Sequence, residues 1–377
     1  MMMETQMFSL QDVQRRIAAI IDTARYVGIN YQKLGHAVLF MEDSIESQWW
    51  RAHRHTAEHY QLSPIKRADD DAIMFTLVNM AQMWQIWERT ADSDVRPWHF
   101  YWKKELFIGA SGITAAHMRA LKNGCDLLNP DYLSNLQLSS VENIYRDDHT
   151  GVASIPNLRG RLAKFNEIGR VLSNEFDNAA TKLLERARGF LYRDDGHGLI
   201  QLLAYHFPIS FGDFPFFKLA NAGVVFGLLG LRDSDLPSTH EFVRLTTFND
   251  LANLEGGADY YRPLFLLRLG ILEPNHSLRK TLVNSTPIER DGKMEHEIRA
   301  GTLVALRKLT ERIGSFPVYL FNVEVETHAQ AFLRCRHCRV GISDKDLFCS
   351  YKPICAAYNT NHELMKIGWP LVETTSY

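Results

Sequence analysis

Apolar residues in this 377-residue chain recur mainly at three- and four-residue intervals, and sustained two-residue alternation is scarce. That spacing puts side chains on one face of an α-helix. Val13, Ile17, Ile20 and Ile21 form one such stripe, and Ile298, Leu303, Leu306 and Leu309 form another within Glu295–Ile313. Ala72–Trp87, Phe216–Leu229 and Arg262–Gly270 also read as helices, as does Thr114–Lys122, closed by Gly124, and Arg161–Tyr192 carries one or two helices with exposed charges. Val318–Val325 fits either a strand or a helix. Loops are expected at Ala91–Pro97, Asp147–Pro156, Asp194–Gly198, Asp233–Ser238 and Asn284–Lys293. The expected fold is mainly α: a compact multi-helix globular structure with few or no strands.

With 46% hydrophobic and 23% charged residues, the chain suits one large or two closely packed domains. We divide it into a helical domain over 1–330 and a Cys-rich tail over 331–377, packed on that domain or forming a small metal-binding extension. A formal net charge of −2 gives no global basic excess, so no stable nucleic-acid partner is expected. The N-terminus lacks the basic and apolar regions of a secretory signal. No apolar run reaches the length of a membrane span. The longest, Phe214–Leu231, contains Lys218 and Asn221 and reads as a buried central helix. A soluble cytoplasmic protein without a membrane partner is expected.

Phe248–Gly270 carries the chemistry. Gly256-Gly257 marks a turn, and Pro263 suits the first turn of the apolar helix that follows. Asp259 therefore falls at the helix N-terminus, where the dipole favours a carboxylate. Two readings stand: an ordinary helix-capping Asp, and a fixed carboxylate for chemistry that develops positive charge.

The spacing Phe248-x-Asp250-Leu251-x-x-Leu254-x-x-x-Ala258-Asp259-Tyr260-x-x-Pro263 resembles the pattern F-x-D-I-x-x-[IL]-T-M-F-A-D-Y-R-x-P-Q of the queuosine salvage protein family. Further matches occur in the same order. Ala115-Ala116-x-x-Arg119-Ala120-Leu121-x-x-Gly124 is similar to A-A-x-x-R-A-L-x-x-G. Phe216-Phe217-Lys218-x-Ala220-Asn221 is similar to F-Y-K-R-A-Q, and Glu295-His296-Glu297-Ile298-Arg299 to E-V-E-I-R. The resemblance covers roughly residues 60–330. It implies a compact helical fold similar to helical DNA-glycosylase architecture. It also implies queuosine 5′-phosphate N-glycosylase activity, with queuine released, a small-molecule nucleotide as partner and no required cofactor. The chain departs from the pattern at Gly257, where the family has an aromatic, and at Tyr261, where it has Arg; Arg262 lies one position later. Tyr60-Gln61-Leu62-Ser63-Pro64 only approximates the family's H-x-L-N-P.

By that resemblance Asp259 is the catalytic carboxylate. N-glycosidic cleavage builds positive charge on the ribose carbon, and a carboxylate there stabilises it or activates water. Phe248, Tyr260, Tyr261 and Trp84 are stacking candidates for the base, with core packing the favoured role for Trp84. Lys218 and Arg262 are candidates for a 5′-phosphate, Lys218 balanced against a snorkelling role. Asn221 stands at the position of the family's Gln and is a further substrate-binding candidate. Glu324 and Glu326 are candidates for accepting hydrogen bonds from the base, against the favoured reading of solvated charge. Asp250 is assigned to organising its own loop, and Glu297 and Arg299 to structural pairs.

Cys335-x2-Cys338-x10-Cys349-x5-Cys355 clusters four of the five cysteines. In an intracellular chain such clustering points to metal before disulfide. A structural zinc on four thiolates is one reading; the C-x5-C half fits common spacing poorly, and unligated buried thiols are the other. Cys125 is expected to be buried. Two further functions stand beside the glycosylase: a glycosylase with a different nucleoside or nucleic-acid substrate, and a non-catalytic nucleotide- or base-binding protein.

Overall fold

The computed structural model describes residues 8–46, 69–89, 95–232, 239–314, 320–335, 338 and 349–376. Tyr60–Pro64, most of Ala91–Pro97 and the Asp233–Ser238 loop lie outside them. The fold is mainly α, as the apolar spacing predicts. Among the described residues the strands form three short antiparallel pairs. These are Val27–Ile29 with Leu272–Pro274, Trp87–Arg89 with Val95–Pro97, and His99–Trp102 with Glu105–Ile108. Each strand has only three or four residues, too few for an alternating pattern to stand out. The chain divides into two compact units, one built from residues within 56–251 with both chain ends, the other from residues within 10–55 and 252–374.

In the first unit the run Ala72–Trp87 is not one helix. It is helical over Asp69–Ala81 and turns into the strand Trp87–Arg89. Trp84, in the turn, is fully buried, with the Arg161 guanidinium 4.4 Å from its ring centroid. Arg161 donates to the carbonyls of Gln82 and Trp84, satisfying turn acceptors that no ladder reaches. Core packing is thus the role of Trp84. His117, also buried, is bonded to Asn79 and the Tyr145 hydroxyl. Burial and the neighbouring Arg161 push its pKa down to about 3, so it sits in the core as a neutral ring. Of the Phe214–Leu231 stretch, residues 214–216 form a turn and Phe217 is irregular, where a helix was expected from Phe216; the helical part begins with a π-helical segment, Leu219–Val225, before Phe226–Arg232.

The second unit is organised around the long helix Lys293–Ile313. Tyr31–Glu46, Leu10–Asp22, Tyr261–Leu269 and Leu320–Gln330 all pack on it. Val318–Val325, open between strand and helix in the sequence, is helical where described. Glu297 accepts the N–H groups of Arg25, Tyr26 and Val27, tying the helix to the strand Val27–Ile29. It caps backbone donors instead of forming the expected side-chain pair. Arg299 does pair with Glu295. Helix Tyr261–Leu269 ends at Gly270, whose φ of 73° is left-handed. Gly270 N–H bonds to Leu267 and Ile271 N–H to Leu266, a Schellman closure that requires this glycine.

Helix Leu158–Glu175 of the first unit packs against Pro130–Ser134 through Gly169. A Cβ there would lie 2.3 Å from Ser134 N and 2.4 Å from Pro130 O, and both are backbone atoms that cannot swing aside. Gly169→Ala is expected to cost about 1–3 kcal/mol. Thermal denaturation should show a lowered midpoint; an unchanged midpoint contradicts this packing.

Candidate active site

Asp259 lies at the start of helix Tyr261–Leu269 and is nearly buried. Its Oδ1 accepts from the N–H groups of Tyr261 (2.9 Å) and Arg262 (3.2 Å). Those are two of the donors that a helix start leaves unsatisfied. The capping reading is therefore correct as far as it goes. Oδ2, the other oxygen, meets the Arg262 guanidinium at 2.6 Å.

Arg262 is shared. Its Nε pairs with Glu324 Oε2, so one guanidinium serves two buried carboxylates. Burial works against the Arg262 charge, but Asp259 and Glu324 together outweigh it and raise its pKa further. Glu324 accepts from Gly257 N–H at 2.9 Å through Oε1. Its pKa is nonetheless pushed up to about 7, first by burial and also by the like charge of Asp259. These effects outweigh Arg262 and the Gly257 N–H. Glu324 is thus a carboxyl able to exchange a proton near neutral pH. Gly256-Gly257 forms no turn but runs as irregular backbone; a Cβ on Gly256 would lie 2.2 Å from Glu324 Oε1, so the missing side chain at Gly256 is what admits this carboxylate.

The solvated-charge reading of Glu324 and Glu326 is wrong: the residues are 1% and 0% exposed. Glu326 turns away from the Asp259 group. It accepts from the Tyr351 hydroxyl (2.9 Å) and the Gln330 amide (3.1 Å). Helical spacing explains the split, since Glu324 and Glu326 lie about 200° apart around a helix. His328, one turn beyond Glu324, falls on the Glu324 face. Its Nδ1 is 4.0 Å from Asp259 Oδ2, and its side chain is 36% exposed where those of Asp259 and Glu324 are 7% and 2%. Tyr261 packs at 4.7 Å from the His328 ring and 4.9 Å from Trp369, and Tyr260 packs on Trp369 at 5.6 Å. Arg299 donates to the carbonyl of Ala258, fixing the backbone just before Asp259.

The profile of the queuosine salvage protein family matches residues 63–318. The chain belongs to this family. It is 25% identical over 225 residues to the queuosine 5′-phosphate N-glycosylase/hydrolase of Nematostella vectensis, covering 58% of this chain and 60% of that one. It is 25% identical over 306 residues to the Mus musculus protein of the same name, covering 76% and 82%. The Sphaerobacter thermophilus protein of that name is 27% identical over 226 residues, covering 58% and 64%. The chain thus spans less than two thirds of the length of two of these three relatives.

The second unit brings together Asp259, Tyr260, Tyr261, Arg262 and Glu324. Sequence reasoning missed His328 and Trp369; the available signal for His328 was its four-residue offset from Glu324. Phe248, Lys218 and Asn221 belong to the first unit. Phe248 is buried, and Asn221 is buried with its amide on Phe217 O. Lys218 donates to Met83 O at 2.9 Å and is half-buried. Asp250 accepts from the Leu191 and Tyr192 N–H groups and so anchors a neighbouring segment.

All five cysteines are free thiols, and Cys125 is partly exposed where burial was expected. Burial, first of all, raises the pKa of Cys335, Cys349 and Cys355, and the nearness of the other thiols adds to it. Among the described residues no group of three or more His, Cys, Asp or Glu side chains is arranged to hold a metal ion. The zinc reading of Cys335, Cys338, Cys349 and Cys355 therefore rests on sequence spacing alone. No helix among the described residues is long and apolar enough to cross a membrane.

The raised Glu324 pKa has a thermodynamic consequence. Between the ordinary carboxylate value and about 7 the folded chain holds a proton that the unfolded chain releases. Stability contributed by this group is full at low pH and is lost as pH rises towards 7. The span corresponds to roughly 3 kcal/mol. Glu324→Gln removes the titration. The melting temperature of wild type relative to this variant should fall from pH 5 to pH 7.5, and a constant difference refutes the assignment.

Proposed function

We propose that the chain hydrolyses the N-glycosidic bond of queuosine 5′-phosphate, or of a closely related 7-deazaguanine nucleotide, and releases the base. The observation that carries this reading is the geometry of Asp259. A carboxylate at the family's acidic position is locked by two backbone N–H groups and a guanidinium. It is preorganised for the positive charge that develops at the ribose C1′ as the bond breaks, and needs no rearrangement at that moment. Glu324, titrating near neutrality on the other side of Arg262, adds a second carboxyl to the group. A 7-deazaguanine leaving group lacks the N7 that ordinary purines protonate, so the enzyme must supply its proton or hydrogen bonds elsewhere.

A second reading, a different base, is favoured by one observation. Gly257 stands where the family pattern has an aromatic, and Glu324 lies against Gly256 and Gly257. The base there meets a different surface from the one the pattern supplies.

Product analysis with queuosine 5′-phosphate, queuosine and guanosine 5′-phosphate separates the readings. Wild type is expected to release queuine from queuosine 5′-phosphate. Asp259→Asn, which keeps the size and the capping oxygen, is expected to lose at least about a hundredfold in kcat with its fold intact. Near-wild-type turnover by Asp259→Asn sinks the role of Asp259. Release from guanosine 5′-phosphate alone favours the second reading.

A further inference from the structure

Resting on the reaction proposed above, we infer that His328 is the acid that protonates the departing base. The Asp259 group contains several ionisable side chains, but most are sealed in. Arg262 and Glu324 are 10% and 2% exposed and bonded to each other, and Tyr260 and Tyr261 are buried. His328 combines nearness to Asp259, at 4.0 Å, with a side chain open enough to reach a ligand and solvent. Its ring packs against Tyr261, at 4.7 Å, and lies near-parallel to Phe332, at 6.3 Å and 14°. A histidine held beside a carboxylate and half-open to water is suited to proton transfer near neutral pH. It lies on helix Leu320–Gln330, beyond the residues that match the family profile.

Among the described residues, Asp259 and Arg262 are charged groups beside His328. Asp259 favours the imidazolium. Arg262 opposes it, but is neutralised by Asp259 and Glu324. On the neighbouring helices Arg299 pairs with Glu295, Arg307 with Glu255, and Lys33 with Glu273.

The step balances. The C1′–N bond breaks and its electron pair goes to the base nitrogen, which takes the proton from the His328 imidazolium. Asp259 stabilises the cationic ribose carbon. Water then adds to C1′, and its proton returns through Asp259 to the imidazole. The sum is nucleotide plus water giving base plus ribose phosphate.

The test compares wild type and His328→Gln on queuosine 5′-phosphate across pH, with circular dichroism to establish folding. His328→Gln should lower kcat by about 10²–10⁴-fold while KM changes little. The alkaline limb of the wild-type kcat profile, where the acid loses its proton, should vanish in the variant. Wild-type kcat, or a profile of unchanged shape, overturns the inference while leaving the proposed reaction standing. No release by wild type overturns both. Should the variant fail to fold, NMR titration of the His328 ring decides. Its pKa should fall by roughly one unit in Asp259→Asn, where the neighbouring charge is gone; an unmoved titration rejects the pairing.

Discussion

Two buried carboxylates share one guanidinium, and the second unit is arranged around that fact. Removing charges from water is costly unless each finds close partners. Asp259 has two helix N–H groups and Arg262; Glu324 has Gly257 N–H and Arg262. Each local oddity of Phe248–Gly270 follows from this requirement. Residue 256 is glycine because a Cβ there would strike Glu324. The arginine one place later than in the family pattern can still bridge, because a three-residue offset on a helix brings Arg262 back over Asp259. Helix Leu320–Gln330 must pack where it does because Glu324 belongs to the same ion group.

The compensation is incomplete, and that is what gives the site chemistry. Full pairing would hold both carboxyls firmly ionised. Burial instead lifts Glu324 to about 7 despite its partners. Asp259 keeps a fixed place while its neighbour Glu324 titrates at about 7. A static carboxylate for the developing cation and titrating groups for the proton are the two requirements of N-glycosidic hydrolysis.

The helical class and the place of Asp259 were legible in the sequence, because both depend on local spacing, turn residues and caps. Gly270, Pro263 and Asp259 act where local rules put them. The short strand pairs were not legible, because each strand has only three or four residues and one pair, Val27–Ile29 with Leu272–Pro274, meets across some 240 residues of chain. Glu324 was misread because Val323-Glu324-Val325-Glu326 alternates like a half-exposed strand. As a helix it turns the two glutamates to different partners, and both are buried. Trp369 is brought against Tyr260 and Tyr261 by tertiary packing, which no local pattern encodes, and His328 follows only once Glu324 is placed on the same helix face.

Membership of the queuosine salvage protein family and the Asp259 geometry converge on one bond, that between C1′ and the base nitrogen. Turnover of queuosine 5′-phosphate in ¹⁸O-water, followed by mass spectrometry of the products, examines that bond directly. The account predicts free queuine without label and ribose phosphate carrying one ¹⁸O at C1′. Label in inorganic phosphate, or recovery of intact nucleotide, would contradict it.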